Sequence, residues 1–154
     1  MDRPVGERPQ LRLTRCYPVA PARVWQAWTD PQALSAWFGP GEPNSVTLAE
    51  LDVRPGGRWR VRFHTPDGEE HEVSGSYEEV VPERRLVFTW AWRSTPARVS
   101  RVSLSLRPVA GGTELDFLHE RFADEAARDG HQRGWTATLA KLEAWLQAPA
   151  GSAA

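Results

Sequence analysis

From residue 46 to residue 120 the chain alternates apolar and polar residues with period two, and Pro and Gly interrupt it at short intervals. Strands are predicted at 46–53, 58–65, 69–80, 84–92, 99–108 and 113–120. The breaks include Pro55-Gly56-Gly57, Pro66-Asp67-Gly68, Pro82-Glu83 and Gly111-Gly112, all strong turn formers. Loops this short join antiparallel neighbours, because a parallel pair needs a long crossover. The period then changes. Within 124–147, Trp135, Leu139, Leu142 and Leu146 stand at i, i+4, i+7 and i+11, a narrow apolar stripe on one helix face. A sheet with one apolar face and a helix with one apolar stripe bury those surfaces against each other.

Upstream, 10–17 reads as a strand with Leu11, Leu13 and Tyr17 on one face. A helix is expected from Pro21, which suits a first helical turn, with Val24, Trp25 and Trp28. Asp30-Pro31 caps a second short helix carrying Leu34, Trp37 and Phe38, and Gly39-Pro40-Gly41 ends it. The predicted order is β-α-α-β6-α, an α+β fold. Residues 10–147 read as a single domain, with 1–9 as a flexible lead-in and 148–154 as a flexible tail.

The net charge of −1 supplies no long-range attraction for nucleic acid or anionic lipid. Arg58, Arg60, Arg62 and His64 share the outer face of one strand, but Glu70, Glu72 and Glu78 on its neighbour answer them. Cross-strand pairing accounts for the stripe without a nucleic-acid partner. The lone cysteine, Cys16, makes no internal disulfide, and nothing resembles a secretory leader. No apolar run approaches the ~20 residues of a membrane span, so a cytoplasmic protein without a membrane partner is expected. The histidines at 64, 71, 119 and 131 are too dispersed for a zinc site, so no metal and no cofactor is expected. No nucleophile elbow or phosphate-cradling loop is present, and no catalytic residue is assigned.

Several phrases in this order carry a resemblance: Val24–Trp28 with Asp30-Pro31 and Trp37-Phe38, Leu51-Asp52-Val53-Arg54-Pro55-Gly56-Gly57, and Gly75-Ser76-Tyr77. Leu86-Val87-Phe88-Thr89-Trp90, Gly112-Thr113-Glu114-Leu115 and Gly134-Trp135-Thr136-Ala137-Thr138-Leu139 continue it. Together they resemble the START-like helix-grip superfamily (SRPBCC), and within it the family named after the activator of heat-shock protein 90 ATPase. The resemblance implies a curved antiparallel sheet wrapped around the long C-terminal helix, with a cavity for lipids, polyketides or other apolar molecules. The eponymous co-chaperone has an extra N-terminal domain that binds the chaperone's middle segment, for which this chain is expected to have no room.

Strand parity then selects the residues that face the helix. Trp59, Phe63, His71, Tyr77, Phe88, Trp90, Trp92, Phe117 and His119 share the inner face, opposite Trp135. Eight tryptophans exceed what filling a core of this size requires. Followed back from Trp135, the helix stripe turns polar at His131 and Arg128, as at a cavity mouth or at a helix end that overhangs the sheet. Gly130 and Gly134 each cost the helix ~1 kcal/mol, for which close packing or room for a ligand would compensate. The leading expectation is a non-catalytic carrier or sensor that binds a small apolar or aromatic molecule through these aromatics, His71, His119 and His131. One alternative is an enzyme of the polyketide cyclase/hydrolase type using a cavity histidine. Another is a stress-related, co-chaperone-like interaction domain that uses an exposed apolar patch at Trp37-Phe38. A monomer or homodimer suits each of them.

Overall fold

Ten elements follow one another over residues 8–147, the part of the chain that the computed structural model describes. They are β1 (Leu11–Tyr17), α1 (Pro21–Thr29), α2 (Pro31–Trp37), β2 (Val46–Leu51), β3 (Arg58–His64), β4 (Glu70–Val81), β5 (Arg85–Trp92), β6 (Ser100–Val109), β7 (Gly112–Glu120) and α3 (Glu125–Gln147). This is the expected α+β helix-grip order, with element ends displaced by a residue or two. The expected flexible segments at 1–9 and 148–154 fall outside the described residues, except for positions 8 and 9.

The seven strands form one curved antiparallel sheet in the order β1-β7-β6-β5-β4-β3-β2. Strands β2 to β7 are a meander, each hydrogen-bonded to the next. β1 instead pairs with the last strand, from Leu11↔His119 to Tyr17↔Thr113. The first two strands of the chain therefore sit at opposite edges, and α1 and α2 carry the connection across. Asp30 lies between these helices: its amide donates to Gln26 O as α1 ends, and its carboxylate accepts the Gln32 amide at 2.9 Å as α2 begins.

The β4–β5 ladder is interrupted at Gly75. It runs through Val73↔Trp92 and Ser74↔Ala91, then resumes at Tyr77↔Phe88. In the gap, the Ser76 amide donates to Thr89 Oγ1 at 2.9 Å and the Trp59 indole donates to Thr89 O at 3.1 Å. A register shift between Tyr77 and Glu79 adds a bulge, which increases local twist.

The core lies between this sheet and the helices. α3 contributes Trp135, Thr138, Leu139, Leu142 and Leu146, the expected stripe with one threonine added. The Trp37-Phe38 patch is corrected by the structure: both residues are buried, at 0% and 4% exposure. α2 directs its C-terminal end into the core, where Trp37 meets Trp28 edge-on at 4.8 Å and donates its indole N–H to Ala27 O. Among the described residues, the exposed large apolar side chains are Val81 and Val99.

Arg60 and Arg62 of β3 face outward and are paired. Arg62 binds Glu72 at 2.8 Å, as strand pairing suggests, whereas Arg60 binds Glu50 of β2 at 2.7 Å. Arg93 and Arg101 engage Glu70, Glu72 and Glu78 as well. Exposed pairs like these contribute at most ~1 kcal/mol each. No helix among the described residues is long and apolar enough to cross a membrane.

Candidate functional site

α3 presents two adjacent rows to the sheet. One consists of small residues spaced by four: Ala126, Gly130, Gly134 and Thr138. The other is Ala127, His131 and Trp135. Small side chains leave room beside the large ones. Opposite them stand Phe63 of β3, Trp90 and Trp92 of β5, and the segment Phe38-Gly39-Pro40 that follows α2. The space enclosed is a cavity of about 280 Å³, and its walls are mostly carbon. Both glycines border it. A Cβ on Gly134 would meet only Pro40 Cβ, at 3.9 Å, so the missing side chain is room that the cavity uses.

One end of the covering segment is tied to α3. Lys141, the only lysine in the chain, donates through Nζ to Gly39 O and to Gly41 O, the latter at 2.6 Å. Partial burial moves its amine pKa downward.

Hydrogen bonds fix the state of both inner histidines. An indole nitrogen only donates, so Trp92 Nε1, 2.9 Å from His131 Nε2, makes that nitrogen the acceptor. The His131 hydrogen then resides on Nδ1 and is donated to Ala127 O at 2.7 Å. In the same way Trp135 Nε1 donates to His119 Nδ1 at 3.0 Å, and His119 Nε2 donates to Ser100 Oγ at 2.7 Å. The chain ends where the Ser100 hydroxyl donates to Trp90 O at 3.3 Å. Both rings are neutral. Desolvation pushes the pKa of His119 well below its ordinary value, with a smaller push from His131, and burial lowers that of His131. Every ring nitrogen of the pair is committed, which leaves no free imidazole lone pair for a general base.

Trp135→Phe tests the deeper of these bonds. The buried His119 Nδ1 would lose its donor, an expected cost of about 1–3 kcal/mol, read as a lower urea midpoint. An unchanged midpoint would mean that His119 has found another donor.

Of the residues selected by strand parity and the helix stripe, Phe63, Trp90, Trp92, His131 and Trp135 line the cavity. Trp59, Tyr77 and Phe88 surround a second void, of only about 20 Å³, beneath Trp28 and Leu34. Phe117 and His119 are fully buried behind Trp135, with Phe117 4.5 Å from its ring. His71 is at the rim, stacked on Phe63 at 5.5 Å, with Nε2 3.5 Å from both Thr65 Oγ1 and Glu69 Oε1. Arg128, expected near the mouth, binds Asp129 and Gln10 O instead. Sequence reasoning missed Phe38, Gly39 and Pro40, although Gly-Pro-Gly marks a backbone turn there. It also missed the four-residue spacing of small residues on α3, having singled out only the two glycines. Asp52 is half exposed and binds Arg54 rather than an imidazole. Among the described residues, no three His, Cys, Asp or Glu side chains group so as to hold a metal ion.

Solved structures share this architecture. A protein from Chromobacterium violaceum is 27% identical, with a TM-score of 0.80 over 91% of this chain and 98% of that one. A protein from Silicibacter pomeroyi is 29% identical, with a TM-score of 0.78 over 90% and 97%. The human protein "Activator of 90 kDa heat shock protein ATPase homolog 1" is 26% identical over an alignment of 137 residues that covers 86% of this chain. The chain spans only 36% of the length of that human relative. Residues 18–147 match the family model described as activator of Hsp90 ATPase homolog 1-like protein, and the chain belongs to that family.

Proposed function

We propose that the protein binds a small apolar or aromatic molecule in the cavity between sheet and α3, as a non-catalytic cytoplasmic carrier or sensor. The observation that carries this reading is the cavity of about 280 Å³, walled by aromatic rings and kept open by glycines. The cavity is open to solvent, and an apolar occupant would cover its mostly carbon walls and remove them from water. The exposed free Cys16 suits a reducing compartment. A cyclase or hydrolase acting through His119 or His131 would need an imidazole with a lone pair to spend, and neither ring has one in this arrangement.

Gly134→Leu provides the test. Its side chain would occupy the cavity, while the helix gains from losing a glycine, ~1 kcal/mol by propensity. Calorimetric titration with 2-naphthol should show binding to the wild type and none to Gly134→Leu, whose melting temperature is maintained or raised. Equal binding by both proteins would remove the cavity as the site.

The likeness to the human ATPase activator favours a second reading, docking on an Hsp90-type chaperone. Its measurement is the ATPase rate of the chaperone from the same host with and without this protein. An unchanged rate ends it.

A further inference from the structure

We infer that His131 makes the cavity select on charge, admitting an uncharged aromatic ligand and rejecting its anionic isostere. The inference rests on the reading of the cavity as a ligand site and adds the residue that sorts the ligands.

The residues lining the cavity include no Asp, Glu, Lys or Arg, which leaves His131 as their one ionisable side chain. Its Nε2 is held by Trp92 and its Nδ1–H by Ala127 O, so it offers an incoming ligand neither a charge nor a free donor. The Thr138 hydroxyl donates to Gly134 O at 2.8 Å, and Gly39 O is held by Lys141. Trp90 Nε1 is buried without a partner and presents no surface to the cavity. Such a wall accommodates an uncharged ring. It cannot replace the water shell of a carboxylate, whose burial without a counter-charge is costly.

Protonation of His131 would reverse this. A hydrogen on Nε2 would face the Trp92 N–H, two donors in opposition, and the bond between β5 and α3 would be lost. The imidazolium would then supply the cation that the wall lacks. The groups around the ring are all uncharged: Trp90 and Trp92 from β5, neutral His119 from β7, and Phe122 from the segment before α3. On α3 itself the neighbour is Ala127 O. Of the charged residues nearby, Asp124, just before α3, accepts the Ala127 amide, and Arg128 is paired with Asp129. Arg133 is exposed, with Nη2 3.8 Å from where a Cβ on Gly130 would stand. Burial holds His131 neutral near pH 7.

Calorimetric titration with 2-naphthol and 2-naphthoate at pH 7.5 and 5.5 tests the inference. At pH 7.5 the wild type should bind 2-naphthol at least about 30-fold more tightly, as expected for an unpaired buried charge. At pH 5.5 a carboxylate is still mostly ionised, and its charge draws onto His131 a proton that the unliganded ring refuses, so the ratio should narrow by about tenfold. His131→Gln can still accept the Trp92 N–H and does not titrate, so it should keep the full preference at both pH values. His131→Lys should gain 2-naphthoate at pH 7.5. Equal wild-type affinity for the two probes at pH 7.5 would overturn the inference and leave the cavity reading standing. Loss of naphthoate binding in Arg133→Gln would then assign that affinity to the rim. An unchanged pH profile in His131→Gln would also overturn it. No binding of either probe at either pH would sink the cavity reading, and this inference with it.

Discussion

Gly75→Ala is expected to destabilise the protein by about 3 kcal/mol or more, at the upper end of what overpacking costs. A Cβ at this position would lie 1.9 Å from Thr89 O and 2.6 Å from the carbonyl carbon, both backbone atoms of the neighbouring strand. Moving Thr89 away would break the bonds from the Trp59 indole and the Ser76 amide that bridge the gap in the ladder. The buried Trp59 would then lose its acceptor at the same time as the strands separate. Urea unfolding followed by far-UV circular dichroism gives the measurement, with Gly134→Ala as a matched control. The control adds the same methyl group where the nearest atom is 3.9 Å away, and is expected to raise stability by ~1 kcal/mol. If the two midpoints move together, Gly75 does not mark a close approach of strands.

Stability is expected to fall steeply as the pH drops below about 6.5, before any carboxylate titrates. His119 and His131 have depressed pKa values in the folded protein. Their unfolded values lie near 6.5. Below that point the unfolded chain binds protons that the folded protein refuses. The stabilising share of each ring is therefore complete above the unfolded pKa and is lost as the pH falls towards the folded one. The slope approaches about 1.4 kcal/mol per pH unit for each ring that stays neutral. Glu72 and Asp67 also have lowered pKa values, the first through its bond with Arg62 and the second through Thr65, but carboxylates act at lower pH. Between pH 6.5 and 5 the loss belongs to the imidazoles. Melting temperatures from pH 7.5 to 5.0 should show this slope in the wild type and a shallower one in His119→Leu. The variant itself should be less stable at pH 7.5, because the Trp135 indole loses its acceptor, an expected cost of about 1–3 kcal/mol. An identical slope in the two proteins would exclude His119 as the acid-sensitive group.

The stretch from Val46 to Gln147 was legible because strand and helix periods are local properties. A residue's place in a period-two run fixes which face it takes, so Trp59, Phe63 and Trp90 could be turned inward without knowing the fold. Trp37 and Phe38 were misread as an available patch for the opposite reason. They end a short helix, where periodicity has too few residues to assign a face, and the turn after them decides their burial. The position of β1 was not readable either. Its partner β7 lies about a hundred residues away, a separation also spanned by the bond from Thr113 Oγ1 to Val19 O, and no local pattern encodes which strand edge is left free.

The same division holds at the candidate site. From sequence alone came the inward aromatic set, the polar turn of the α3 stripe at His131, and two glycines whose helical cost needed a reason. Only the tertiary structure decided that Trp59, Tyr77 and Phe88 close up around a void of about 20 Å³, while Trp90, Trp92 and Trp135 border about 280 Å³. Parity gives a direction, but volume depends on what stands opposite. Trp28 and Leu34 fill one end, and Gly130 and Gly134 leave the other open. The charge state of the two histidines was decided in the same way, because an imidazole's tautomer follows from which indole reaches it, and that is a matter of packing between elements far apart in the chain.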